Sequence, residues 1–184
     1  MELPEDIPRA HLPLAEAFEG LDTAANLSAD GTRTKDIPRA LQPAWRTFLQ
    51  TMYGTDTPFI TPETTPPGSV QAFRDHIFAL MTAVPDATTL AQAPTLERWC
   101  VIRDRQDCRL IGRVRGHPIL RENARATTSA LFRLAAADGW ARTWSRIYRL
   151  LDPDPSFFLD LQRDERLQAE TEIVWEMMPP PPDR

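Results

Sequence analysis

The sequence predicts an α+β protein with N-terminal helices, a small antiparallel β-sheet in the middle of the chain and an acidic C-terminal helix. Three observations predict it. Apolar residues recur at helical spacing before residue 95, the period shortens to two between Cys100 and Arg115, and Asp154-Pro155 opens an acid-rich stretch with a helix start. The expected divisions are therefore 1–95, 96–151 and 152–184. With 184 residues, 42% of them hydrophobic, the chain suffices for one domain of ordinary size or a small domain with a helical extension.

Residues 6–18 (DIPRAHLPLAEAF) and 36–48 (DIPRALQPAWRTF) match at seven of thirteen positions. In each copy a proline, Pro13 or Pro43, stands where a first helical turn begins, a position that tolerates its missing N–H. Apolar residues follow at helical spacing, among them Ala44, Trp45, Phe48, Leu49 and Met52 in the second copy, and Gly20 and Gly54 supply stops. Two copies are too few for a solenoid, so local duplication or chance is the simpler explanation. The Pro- and Thr-rich stretch 55–68 reads as a loop. Ser69 is the expected N-cap of a helix with the stripe Val70, Phe73, Ile77, Leu80 and Met81, ended by Pro85, and a shorter helix is expected near Ala87 to Ala93.

From Trp99 onward the pattern turns to strands. Cys100 to Ile102 and Arg109 to Arg115 are the first two. In the second, Leu110, Gly112 and Val114 point one way while Arg109, Ile111, Arg113 and Arg115 point the other. Thr127 to Leu134 is a third, and Asp138-Gly139 is a tight turn into Trp140. Residues 140–150 (WARTWSRIYRL) fit two periods. As a strand they gather Trp140, Arg142, Trp144, Arg146 and Tyr148 on one face; as a helix they oppose an apolar stripe to Arg142, Arg146 and Arg149. Aromatic and β-branched content favours the strand. The last helix starts at Asp154, carries Phe157, Phe158 and Leu161, and is expected to extend toward Trp175, before a tail PPPPDR that cannot continue it.

Charge is unevenly distributed. Twelve arginines and four acids between Arg98 and Arg149 give that window +8 in a chain whose total is −5, so a basic centre lies between acidic flanks. Such asymmetry points to an anionic partner or to internal pairing. Arginines interleaved with Trp and Tyr suit phosphate contact and base stacking. The competing explanation has the guanidiniums lying along aromatic rings and pairing with the acids that follow Asp154. An overall pI near 5.2 opposes nucleic-acid binding unless the basic face is spatially segregated.

Other signals exclude more than they assign. No apolar run approaches the roughly 20 residues of a membrane span, and the acids after Met1 are unlike a secretory leader, so a cytoplasmic protein is expected. Cys100 and Cys108 have neither CxxC spacing nor a histidine cluster; reduced, partly buried thiols are expected, and no metal or cofactor. His117, in Gly116-His117-Pro118, is the one candidate catalytic base, with Glu122 its sole local orienting acid. A turn histidine is the better assignment, and no motif with mechanical content supports an enzyme.

The runs GHPIL at 116–120, TTSALFRL at 127–134 and GWARTWSRIYRL at 139–150 carry a resemblance. In order and spacing they resemble an uncharacterised family of small alphaproteobacterial proteins with the pattern GHP, TS-x-L and GWART-x-SR-x-YRL, over residues 96–151. This chain departs from the pattern at Leu151-Asp152, where the family has a glycine after the final leucine. The resemblance implies a compact β-rich unit of bacterial, mobile-element origin, and no activity. The functional expectation is a non-enzymatic interaction or regulatory protein, with an inhibitor encoded by a phage or other mobile element as a variant. It would bind an acidic protein partner through Arg109, Arg113, Arg115, Trp140, Arg142, Trp144, Arg146, Tyr148 and Arg149. A nucleic-acid binder using the same arginines, and an enzyme centred on His117, are the alternatives.

Overall fold

A computed structural model describes positions 17, 20, 37–38, 41–53, 68–104, 107–164, 167 and 170–179. Nearly all of the first DIPRA copy, the loop at 55–67 and the end of the proline tail lie outside the described residues. The described residues fall into two compact units, one ending at Met81 and one running from Thr82.

In the first unit, helix α1 (Gln42–Tyr53) and helix α2 (Ser69–Thr82) carry the expected apolar stripes. Ala44, Trp45, Phe48 and Leu49 of α1 and Val70, Phe73, Ile77 and Met81 of α2 are buried, whereas Met52 is exposed. The Trp45 ring meets Phe73 edge-on at 5.0 Å and Phe48 lies 5.3 Å from Phe73, an arrangement that adds ring quadrupole attraction to simple burial. Ser69 is the first residue of α2, not its cap: Gly68 precedes it, and the Gly68 carbonyl accepts from the Ala72 N–H.

The second unit begins with helix α3 (Ala87–Gln92), capped by the Asp86 carboxylate, which accepts from the Thr89 N–H at 2.7 Å. Seven strands follow in one sheet: β1 (Thr95–Asp104), β2 (Asp107–Arg115), β3 (Ala124–Thr127), β4 (Leu131–Ala135), β5 (Trp140–Thr143), β6 (Ile147–Leu150) and β7 (Glu172–Ile173). The sheet order is β3-β2-β1-β6-β5-β4, with β7 also on β1. It consists of two antiparallel meanders, β1–β2–β3 and β4–β5–β6, joined by parallel pairing of β1 with β6. The sheet is therefore mixed, not purely antiparallel as the sequence suggested. Strands β2 and β4, four places apart in the order, are in contact, so the sheet curls around Leu96, Val101, Leu110, Val114, Leu131 and Tyr148. On its outer side Cys100, Ile102 and Ile111 pack against Phe157, Phe158 and Leu161 of helix α4 (Pro155–Arg163).

Three further expectations are corrected. The segment 127–134 is not one strand: Thr128 to Ala130 breaks it between β3 and β4, with the Thr128 hydroxyl accepting from the Leu110 N–H instead of continuing the strand. Residues 140–150 form a hairpin, turned where the Thr143 N–H and hydroxyl both donate to the Arg146 carbonyl. Helix α4 ends at Arg163, far short of Trp175. Strand β6 pairs β1 only at Thr95 and Leu96, which leaves an open edge farther along β1. Ile173 and Glu172 fill it opposite Ile102 and Arg103, and a 3₁₀ turn, Trp175–Met177, follows.

Strand β1 contains the feature that sets these relations. Its register with β2 slips between Glu97 and Cys100, where Arg98 adopts a left-handed φ of 48°. The extra residue resets the alternation, so Leu96, Trp99 and Val101 enter the inner core while Cys100 and Ile102 face α4. Gly112 lies across from the slip. A Cβ there would stand 2.8 Å from the Glu97 carbonyl oxygen and 3.2 Å from the Trp99 Cα, both backbone atoms that cannot rotate away. Gly112→Ala is expected to destabilise the second unit by about 1–3 kcal/mol, as overpacked sites do. Denaturant unfolding checks it: the midpoint falls with an unchanged slope, and an unchanged midpoint refutes the steric requirement.

Candidate functional site

The predicted arginine surface separates into two classes once each side chain is placed. Most of it is neutralised or held from within. Arg109 Nη2 lies 3.2 Å from the Asp107 carboxylate, Arg115 Nε lies 3.1 Å from Glu97, and both Arg149 nitrogens Nε and Nη2 donate to the Thr95 hydroxyl. Arg113 donates to the Asn123 carbonyl at 2.9 Å, and its guanidinium sits 5.3 Å from the centre of the Phe157 ring, as does that of Arg98. Arg98 also pairs with Asp154 at 2.7 Å, and Arg103 with Glu172 at 3.8 Å. The acids that follow the sheet thus satisfy part of the basic window, as the internal-pairing explanation requires.

Two of the three rings of the predicted surface are withdrawn into the core. Trp140 is 2% exposed and Tyr148 3%. Ala141 pairs with Tyr148 and Trp140 with Arg149, so Trp140 lies on one face of the hairpin and Tyr148 on the other, inside the core. Trp140 carries the Arg133 guanidinium 5.2 Å from its ring centre, and half-buried Trp144 packs on Phe132 at 5.9 Å. The single face of Trp140, Arg142, Trp144, Arg146 and Tyr148 does not form, because the chain reverses between Thr143 and Arg146.

Arg142 and Arg146 remain. Neither guanidinium has a hydrogen bond or ion pair among the described residues, and the Nε of each is buried without an acceptor. Burial alone pulls the Arg142 guanidinium below its ordinary value, a sign of hydration lost without a counter-charge to replace it. The two line an open groove of about 470 Å³ together with Thr89, Gln92, Ala93, Pro94, Gly116, Pro118 and Ile147. No carboxylate lines it. Arg146 is fixed by its turn, since its own N–H donates back to the Thr143 hydroxyl at 3.3 Å. Pro94 is tied to β6 by the Arg149 N–H. A second concavity of about 420 Å³, containing Arg115, Arg149, Thr95 and Glu97, shares Gln92, Ala93 and Gly116 with the first.

The far wall is the turn after β2. Gly116 enters it at φ +65°, a conformation glycine adopts without steric cost, and its N–H donates to Glu122 at 2.9 Å. His117 Nδ1 accepts from the N–H groups of Ile119 (3.2 Å) and Leu120 (3.1 Å). That lone pair organises the turn, which is the structural role expected of this histidine. Glu122, the acid that would have oriented it, is engaged with Gly116 instead.

Neither Cys100 nor Cys108 forms a disulfide, each is buried in a different core, and burial pushes the Cys100 thiol up to about 12. Among the described residues no group of three or more His, Cys, Asp or Glu is placed to hold a metal, and no helix is long and apolar enough to cross a membrane. Nothing in the sequence distinguishes Arg142 and Arg146 from the other arginines; what separates them is where α4 and the acids fall in three dimensions.

Partial burial first, and the Arg146 charge second, lower His117 from the ordinary value of 6.5. The folded turn therefore favours neutral imidazole: its support is complete above the ordinary value and is lost as pH falls through the lowered one. Protonating Nδ1 removes the acceptor for Ile119 and Leu120. The amide resonances of those two residues are expected to move together on acidification below neutrality, and NMR pH titration checks it. Independent movement of the two, or none, contradicts the turn assignment.

No curated protein and no solved structure matches this chain. Residues 71–157, which contain the hairpin, the His117 turn, α3 and both concavities' arginines, match the model of a family of unknown function (DUF6634).

Proposed function

We propose that this is a non-catalytic, cytoplasmic interaction protein that binds an acidic protein partner through the Arg142–Arg146 groove. One observation carries this: two arginines, partly dehydrated and without any acceptor of their own, line a concavity that contains no carboxylate. A buried cation without a partner is costly, and an incoming carboxylate removes that cost by supplying charge-assisted hydrogen bonds. The burial of Trp140 and Tyr148 favours a protein over a single-stranded nucleic acid, whose binding relies on exposed aromatic platforms for its bases. The His117 lone pair is already engaged in the turn, which favours binding over catalysis. Two buried thiols on opposite sides of the sheet suit a reducing compartment.

The test is anisotropy with fluorescein-labelled oligoglutamate at two salt concentrations. Saturable binding is expected that weakens with salt. Arg142→Glu and Arg146→Glu should each weaken it by about 1.5–3 kcal/mol, the range for hydrogen bonds to charged groups, or roughly ten- to a hundredfold. Arg163→Glu makes the same charge change on α4, away from the groove lining, and should have little effect. Equal losses at all three positions would reduce the effect to net charge and sink the groove.

A further inference from the structure

The geometry points to a specific kind of acidic segment: a short stretch of a partner protein in which an apolar residue adjoins the carboxylates. Arg142 and Arg146 would take the carboxylates, and the exposed tip of the His117 turn would take the apolar residue. This rests on the proposed acidic partner and goes beyond it by assigning the neighbouring apolar surface a role in specificity.

Three observations carry it. First, the turn that brings Pro118 into the groove lining continues directly into Ile119, 81% exposed, and Leu120, 39% exposed. Consecutive large apolar residues turned to solvent beside a cationic groove are an unusual pairing of surfaces. Second, they do not sit on a loose loop. Both N–H groups are tied to His117 Nδ1, and the Gly116 N–H is tied to Glu122, so the turn presents Ile119 and Leu120 in a fixed conformation. Fixing the apolar residues beforehand lowers the ordering cost of binding. Third, part of the groove wall beside the arginines is apolar, formed by Pro94, Pro118 and Ile147. A chain carrying only carboxylates would leave that wall wet; one with an intervening leucine or isoleucine would cover it. The space, about 470 Å³, fits a few side chains of an extended segment.

The experiment uses the full chain and three labelled peptides of equal length: alternating Asp and Leu, alternating Asp and Ser, and alternating Asn and Leu. Anisotropy should show the Asp-Leu peptide binding about tenfold more tightly than Asp-Ser, the gain from burying roughly one aliphatic side chain, with no binding of Asn-Leu. Replacing both exposed residues (Ile119→Ser, Leu120→Ser) should erase that tenfold preference and leave Asp-Ser affinity as it was. Far-UV circular dichroism and the thermal midpoint check that the double variant folds. Equal affinity for Asp-Leu and Asp-Ser overturns this inference while the acidic-partner proposal survives. Failure of both Asp peptides to bind removes the two together. An unlabelled single-stranded oligonucleotide that displaces the Asp-Leu peptide at lower concentration than unlabelled peptide overturns the inference in favour of nucleic acid.

Discussion

The second unit depends on one irregularity, the extra residue that strand β1 carries at Arg98 and Trp99. Ahead of it, Thr95 and Leu96 pair with β6; beyond it, Ile102 and Arg103 pair with β7. At the slip itself the Trp99 indole N–H donates to the Leu151 carbonyl at 2.7 Å and the Asp154 N–H donates to the Trp99 carbonyl at 2.8 Å. The chain leaving β6 is thereby fastened to β1 just where α4 must begin. The same Asp154 carboxylate receives Arg98 and caps α4 through the Ser156 N–H, so the left-handed residue of the slip and the helix start are held by one group. A left-handed arginine is an unfavourable conformer in isolation and persists only where such surroundings over-determine it.

The fate of the arginines follows from this geometry. Because the slip resets the alternation, both faces of β1 and β2 are buried, one in the curled interior and one under α4. Arginines on those strands meet α4 or acids of the strands themselves: Arg113 and Arg98 lie against Phe157, Arg109 turns to Asp107, and Arg115 to Glu97. Arg142 and Arg146 belong to the other meander, beside α3 and the His117 turn, where no acid lines the groove. Much of the local charge of +8 is thus engaged in holding the fold, whereas the Arg142–Arg146 pair lines a groove without a carboxylate.

Much of the architecture was legible in the sequence because it is local. The helical stripes of α1 and α2, the Asp154-Pro155 start, the Asp138-Gly139 turn and the alternation of Leu110, Gly112 and Val114 all follow from periods and caps that a few residues encode. What escaped depends on partners far apart in the chain. A glutamate and an arginine at 97 and 98 carry no mark of a bulge, and the demand for β7 arises only because β6 is shorter than β1. The hairpin at 143–146 was concealed for another reason: period two continues through Trp144 and Arg146, and only the small hydroxyl residues Thr143 and Ser145 signal a reversal. The basic window marks the region that holds the Arg142–Arg146 groove. It could not separate neutralised arginines from open ones, since that distinction is made by Glu97, Asp154 and Thr95 across the sheet.

The overall charge then shapes how such a site selects. With −5 on the whole chain, an acidic partner is repelled at distances beyond the groove, over a screening length of about 10 Å at 0.1 M salt. For the proposed partner, attraction would operate only at contact, where Arg142 and Arg146 are half-buried. Salt consequently weakens two opposed effects, the distant repulsion and the near attraction, so the dependence on ionic strength is shallower than two phosphate-like contacts to a purely basic protein would give. A dense polyanion such as nucleic acid brings more charge into the repulsive field than it can place in a groove with two open cations. A short, sparsely charged segment brings little, and it gains in addition from the apolar wall. For the proposed acidic partner, shape and apolar contact, not long-range steering, would therefore be the terms of discrimination among anions.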